Sequence, residues 1–229
     1  MLNKKNTYTF LNSLDKVTEF FFHTKFTVEH IQQLNKKVNG NIVVICNHPK
    51  IVDFIQISKI CSYYPNHIPH CFVKASIGRI FGIGSFIQKN AIPLEKNIEK
   101  DKPTILQRIE VLNQTKQPIL LFLFPEGTTR NKETIEKYGM KYKHVLRPRL
   151  GGFQLIQTHF QYDTLVDMTL LYEDDPYDTY LYVDDKDIFS MQPIRKVRIR
   201  LEELNTKDID LNALWDEKEI RLDQWKQEL

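Results

Sequence analysis

The sequence predicts an α/β layered domain, a mixed β-sheet flanked by helices. Three observations predict it. Asn41–Cys46 (NIVVIC) reads as a short buried strand, and the wholly apolar Pro118–Phe124 (PILLFLF) suits a strand covered on both faces. Segments with apolar residues at helical spacing lie between and after them. The 229 residues show no internal repeat and no Gly/Ser linker, so one domain is expected, in which strands alternate with helices.

The elements follow in order. Residues 8–22 carry Phe10, Leu14, Val17 and Phe21 at alternating spacings of four and three, an amphipathic helix made aromatic by Phe20, Phe21 and Phe22. Asn41–Cys46 is a buried strand. Pro49 fits the first turn of a helix running through Asp53–Ile60. Residues 72–96, with Gly78, Gly82, Gly84 and Pro93, read as loops with short elements. Pro103 opens a second helix with Ile105, Ile109 and Leu112 on one face. Pro118–Phe124 is a central strand. Thr164–Tyr172, Tyr180–Val183 and Ile194–Leu201 read as later strands, the last two with period-two alternation. Leu211, Trp215, Leu222 and Trp225 mark a C-terminal helix.

Composition excludes several classes. A net charge of +3 is too balanced to argue for nucleic acid. The three cysteines are odd in number and lack CxxC spacing, which fits reduced thiols rather than a disulfide framework or a zinc site. No apolar run reaches the ~18 residues of a membrane-spanning helix. The N-terminus lacks the pattern of a secretory signal, so residence on the cytosolic side is expected.

Two segments carry candidate chemistry, each directly after an apolar strand, where α/β folds place their sites. The first is Asn47–Asp53 (NHPKIVD). In one regular helix His48 and Asp53 would sit about 140° apart. They meet only if His48 lies in the turn before the helix and folds back. Asp53 then accepts the imidazole Nδ1–H and leaves Nε2 as a base for a hydroxyl. By itself the pair also fits a helix-start histidine and a solvated first-turn aspartate. The second segment is Phe124–Arg130 (FPEGTTR). Gly127 permits a tight turn with N–H groups close to an anion, and Arg130 can pair with phosphate. Its plain alternative is a strand-to-loop turn capped by Glu126 and Thr128.

Other charged regions have simpler readings. Residues 130–149 hold seven basic side chains (Arg130, Lys132, Lys137, Lys141, Lys143, Arg147, Arg149) against Glu133 and Glu136. They form either a patch for anionic lipid or a solvated loop. Lys196, Arg198 and Arg200 alternate with Val197, Ile199 and Leu201 and read as a solvated strand face. The acidic run Glu173–Asp175 with Asp178, Asp184, Asp185 and Asp187 lacks calcium-loop spacing and reads as an exposed loop. His67 and His70 read as loop and core residues. Cys46 reads as a small hydrophobe on a buried strand.

Taken together and in this order, the two segments resemble the PlsC-type glycerolipid acyltransferase family (1-acylglycerol-3-phosphate acyltransferase). Asn47-His48-x4-Asp53 is similar to its first motif and Phe124–Thr128 to its third. Phe72-Val73-Lys74 with Gly82 and Gly84 resembles the approach to the second motif, and Ala91–Lys96 (AIPLEK) the second motif itself. Val145–Arg149 with Gly152-Phe153, Val166–Thr169 and Leu214–Glu219 are similar to the eukaryotic lysocardiolipin and lysophosphatidylinositol acyltransferase branch. The resemblance covers roughly residues 25–225. The chain departs from the pattern at Lys96, where arginine is usual, at Thr129, which displaces Arg130 by one place, and in lacking the fourth motif's proline within Leu165–Leu171. It also lacks the membrane spans of that branch.

The resemblance implies a glycerol-3-phosphate acyltransferase-like layered fold over residues 25–229. Residues 1–24 would then be an interfacial anchor, or a helix covering the sheet. It implies transfer of a fatty acyl group from acyl-CoA, or an acyl carrier protein thioester, to a lysophospholipid hydroxyl without an acyl-enzyme. His48 is the implied base and Asp53 orients it. Asn47, Lys74, Lys96, Glu126, Gly127, Thr128 and Arg130 are the implied substrate-binding residues. No cofactor, metal or nucleic acid is expected, and the expected partner is an anionic membrane surface met peripherally. The alternative is a non-catalytic lipid- or acyl-CoA-binding module of the same fold. A thioesterase that hands the acyl group to water is a weaker third.

Overall fold

The computed structural model describes residues 25–29, 38–49, 53–75, 90–95, 97–139, 141–173, 196–204 and 208–229. The amphipathic segment 8–22, the glycines at 78, 82 and 84, Lys96, the strand expected at 180–183 and the acidic residues 174–187 lie outside them. The described elements are β1 (Lys25–Glu29), β2 (Ile42–Cys46), α1 (Asp53–Tyr63), β3 (Ile68–Lys74), β4 (Ala91–Leu94), α2 (Ile98–Asn113), β5 (Ile119–Leu123), α3 (Lys132–Tyr138), α4 (Leu150–His159), β6 (Thr164–Tyr172), β7 (Lys196–Leu204) and α5 (Leu211–Gln227).

Among the described residues the sheet has seven strands in the order β1-β7-β6-β2-β5-β3-β4. It is mixed, as expected. β6, β2, β5, β3 and β4 are parallel neighbours, β7 runs antiparallel to β6, and β1 is parallel to β7. β2 and β5 lie at the centre, and every residue of both is buried, which is why their sequences are apolar without alternation. β6 is buried throughout as well.

Two cores cover the two faces. On one, Ile57, Ile60 and Cys61 of α1, and Tyr64 just after it, pack on Val44, Cys46, Phe122, Val166 and Leu170. On the other, α2 (Ile105, Ile109, Leu112), α4 (Phe153, Ile156) and α5 (Trp215, Leu222, Trp225) pack on Val43, Ile45, Leu121 and Leu165. The chain therefore leaves β2 over one face and returns from β5 over the other. This reversal opens a crevice between the carboxyl ends of two parallel neighbours.

Several expectations are corrected. The second helix starts at Ile98, five residues before Pro103. Asn97 caps it by accepting from the Glu99 and Lys100 N–H groups, and the first-turn Asp101 accepts from those of Glu95 and Asn97. Pro103 sits inside the helix on its exposed side. Residues 68–74 form a full strand whose alternation Pro69 and His70 obscure. β4 is also a strand, and its Pro93 sits on the open side of an edge. The Lys196–Arg200 face is not simply solvated. Arg198 pairs with Glu173 at 2.9 Å and Glu228 at 2.6 Å and lies over the Trp225 ring. β1, α3 and α4 went unread. α4 begins with Gly151-Gly152, a poor helix signal, and is held by the burial of Phe153 and Ile156.

A buried charge network joins α5 to β6. The fully buried Lys218 ammonium donates to the Asp167 carboxylate, to the Met168 carbonyl at 2.8 Å and to Thr169 Oγ1 at 3.3 Å. Arg221 donates to Asp167 Oδ2 at 3.0 Å and Thr169 Oγ1 at 2.7 Å. In chemical denaturation, Asp167→Asn should lower the unfolding free energy by about 3–5 kcal/mol, because it leaves a buried ammonium without its counter-charge. The double variant Asp167→Leu/Lys218→Met should recover most of that loss.

Candidate active site

Four parallel strands end on one edge of the sheet, and the candidate residues gather there. Asn47 follows β2, Phe124 follows β5, Tyr172 ends β6 and Lys74 ends β3.

His48 is fixed through its backbone on both sides. Its N–H donates to Glu126 Oε1 at 3.1 Å, and its carbonyl accepts from the Arg130 N–H at 3.3 Å. The loops after β2 and β5 are thereby tied together. The imidazole lies against the Phe124 ring, with centroids 4.6 Å apart. Asp53 is the first residue of α1 and fully buried, and its Oδ2 lies 2.7 Å from His48 Nδ1. The two side chains thus meet, which they could not do within a single regular helix. Among the described residues nothing bonds Nε2, and the side chain is 21% exposed. An imidazole held in this way presents the Nε2 lone pair to the crevice when Nδ1 carries the proton.

Asp53 has a partner that sequence reasoning missed. The Tyr172 hydroxyl donates to Asp53 Oδ1 at 2.5 Å, in the core. The signal was available only in that Tyr172 ends an apolar strand, and nothing in the spacing of 119 residues links the two.

The remaining expected site residues divide into interior and exposed groups. Asn47 faces inward. Its amide donates to the Leu170 carbonyl at 3.0 Å and accepts from the Leu170 N–H at 2.8 Å, which extends the β2–β6 ladder by one rung. It straps the two strands together. Glu126 is also interior. Beyond His48, it accepts from the Leu146 N–H at 3.2 Å. Burial pushes its carboxyl up to about 7, against the pull of these N–H groups and of His48. Arg130 is only 5% exposed, so its guanidinium does not front the surface.

Gly127 and Thr128 do reach the surface. Gly127 has φ +66°, which favours glycine, and donates its N–H to the Phe124 carbonyl at 2.9 Å. The exposed guanidinium beside it belongs to Arg149. That side chain lies 3.4 Å from where a Gly127 Cβ would stand and 4.9 Å above the Tyr138 ring, and the Arg149 N–H donates to the Pro125 carbonyl at 2.8 Å. Lys74 is exposed at the end of β3.

The basic stretch 130–149 is partly neutralised by α5. Lys141 pairs with Asp216 at 3.1 Å and Lys143 with Asp223 at 3.0 Å. Cys46 is buried, and desolvation raises its thiol well above the usual range, which makes it inert as a nucleophile. His67 bonds the Gly40 carbonyl at 2.8 Å, and burial lowers His70 to about 4. Among the described residues no three His, Cys, Asp or Glu side chains are grouped to hold a metal ion. No helix among them is long and apolar enough to cross a membrane.

Glu126 should imprint a pH dependence on stability. Between the ordinary value of 4.5 and about 7 the folded chain holds a proton at Glu126 that the unfolded chain has lost. The stability this group contributes therefore falls as pH rises through that window. Glu126→Gln should flatten that part of the curve in denaturation measured from pH 4 to 8.

Comparison with known proteins agrees with this geometry. A family model described as acyltransferase matches residues 25–173, which spans β1 through β6 and both site loops. Lysocardiolipin acyltransferase 1 of Mus musculus is 29% identical over 206 residues, covering 79% of this chain and 53% of the relative. The same-named protein of Gallus gallus is 28% identical over 201 residues, covering 79% and 52%. That of Danio rerio is 30% identical over 125 residues, covering 50% and 32%. The chain spans about half the length of the first two relatives and about a third of the last. With the sheet, the two loops and the family match all falling on the same residues, the chain belongs to the acyltransferase family.

Proposed function

We propose that this chain transfers a fatty acyl group from a thioester, acyl-CoA or an acyl carrier protein thioester, to the hydroxyl of a lysophospholipid. The observation that carries the reading is the His48 imidazole, bonded at Nδ1 to a buried carboxylate and open at Nε2 beside the Gly127 loop. The names of the relatives, lysocardiolipin acyltransferase, support a lysophospholipid acceptor.

In this reading His48 Nε2 takes the acceptor's hydroxyl proton as its oxygen attacks the thioester carbonyl. The new C–O bond forms, the C–S bond breaks, and the proton passes to the leaving thiolate. Asp53 holds the Nδ1–H tautomer and stabilises the imidazolium formed in between. Attack is direct, since the cysteine nearest the site is buried and protonated. The phosphate end of the acceptor lies against Gly127, Thr128 and Lys74, and the resemblance of the second motif adds Lys96. Arg149 supplies the guanidinium there, in place of the buried Arg130. The surface that carries this loop is the side that meets an anionic membrane.

The test is thiol release from oleoyl-CoA by the purified protein, with a panel of lysophospholipids on vesicles. Acceptor-dependent release is expected, and His48→Ala should lose at least ~100-fold of it while keeping the fold. Release that continues without acceptor would instead mark a thioesterase. Binding without any release would mark a lipid- or acyl-CoA-binding module. Arg149→Ala should raise KM for phosphate-bearing acceptors about 10- to 100-fold with kcat little changed, the effect of losing a charge-assisted hydrogen bond made equally in ground and transition states.

A further inference from the structure

We propose that Tyr172 is a positioning residue for the His48–Asp53 pair, the outer member of a Tyr–Asp–His chain in which the phenol fixes the carboxylate that fixes the imidazole. The inference rests on the transferase reading above for its kinetic consequences and on geometry for its existence.

The fold brings the three groups together from separate elements. β6 presents Val166, Met168, Leu170 and Tyr172 to one face of the sheet, and α1 packs on that same face. Asp53 begins α1, so the last residue of the strand meets the first residue of the helix. The carboxylate then has one oxygen on each neighbour, with Oδ2 2.7 Å from His48 Nδ1 and Oδ1 2.5 Å from the Tyr172 hydroxyl. One helical turn on, the buried Gln56 side chain lies beside the same hydroxyl. The phenol is buried beside a negative charge, and both effects raise its pKa well above the ordinary value, so it stays protonated and donates.

Two consequences follow for the imidazole. The terminal torsion of an aspartate is broad, so a carboxylate bonded on one side can swivel. A donor on the second oxygen removes that freedom and holds Oδ2 in line with Nδ1. The same donor draws off part of the carboxylate charge, which weakens its grip on a protonated imidazole. Among the described residues, Glu126 and Cys46 are further titratable groups that interact electrostatically with Asp53. Tyr172 is thus placed to tune how readily His48 takes and returns a proton.

The test compares the full chain with Tyr172→Phe, which removes one oxygen and keeps the ring. Thiol release with the best lysophospholipid acceptor is followed from pH 5 to 9. The expected result is a fall in kcat of about 10-fold or more with KM little changed, the usual scale for losing a group that orients a site histidine's partner. The acid limb of the rate profile should also move to higher pH, because an Asp53 with its full charge holds the imidazolium more firmly. A readout independent of turnover is the downfield proton NMR resonance of His48 Nδ1–H, identified by its loss in His48→Ala. In Tyr172→Phe it should shift further downfield as the His–Asp bond strengthens. A merely structural role would lower the melting temperature and leave the pH limb and this resonance in place. If the wild-type chain turns over and Tyr172→Phe matches it in kcat and pH profile, the proposal is overturned. If the wild-type chain is inert with every acceptor, the transferase reading fails. The resonance then still decides, since an unshifted Nδ1–H in Tyr172→Phe overturns the positioning role.

Discussion

The site depends on one buried carboxylate, that of Glu126. It stands in the interior between the loop after β2 and the loop after β5, and accepts an N–H from His48 and another from Leu146. Three stretches of irregular chain are held by its two oxygens and by the neighbouring backbone bonds from Arg130 to His48 and from Arg149 to Pro125. Loops at the end of a sheet have few ladder bonds of their own, and their polar groups must be satisfied somewhere. Here one side chain satisfies two of them at once. The cost is a desolvated charge, visible as a carboxyl pushed up to about 7. The return is that both backbone polar groups of His48 are hydrogen-bonded.

A second set of buried charges lies on the other face of the sheet. Asp167 and Thr169 point away from the Tyr172 face and receive Lys218 and Arg221 from α5. The segments Val166–Thr169 and Leu214–Glu219, distant in sequence, meet here through Lys218. The network binds the last helix to the strand that delivers Tyr172. Through β6, the C-terminal helix is therefore coupled to the site without touching it. β6 has polar interior partners on both faces, Asp53 on one and the α5 cations on the other, which leaves its register little room to slip.

Several residues that the motifs point to lie in the interior. Asn47, Glu126 and Arg130 share stretches of sequence with His48 and Gly127, and a motif does not say which of its members face in and which face out. In the structure these three are interior, Asn47 completing a strand ladder and Glu126 a loop junction. Gly127, Thr128 and Arg149 form the outer surface of the same loops. Arg149 was not among the expected binding residues because it lies far along the chain from the third motif, in a stretch read for its charge and its family resemblance. That stretch is itself divided, with Lys141 and Lys143 paired to the acidic face of α5.

By itself the sequence determined the fold class, the central strands β2, β5 and β6, the apolar faces of α2 and α5, and the two loops that bear the site. Those features are local. Complete apolarity marks a strand covered on both faces, helical spacing marks a packed face, and the polar loops follow their strands directly. It also showed that His48 and Asp53 could meet only outside a single regular helix, and the two side chains do meet. Tertiary structure alone decided what joins across long separations. It set the order β6-β2-β5, which places the two loops side by side. It turned Asn47, Glu126 and Arg130 inward, brought Arg149 over Gly127, and put Tyr172 on the carboxylate of Asp53 from 119 residues away. No periodicity or spacing encodes these contacts, because each depends on which face of a strand or loop is buried once the layers have packed.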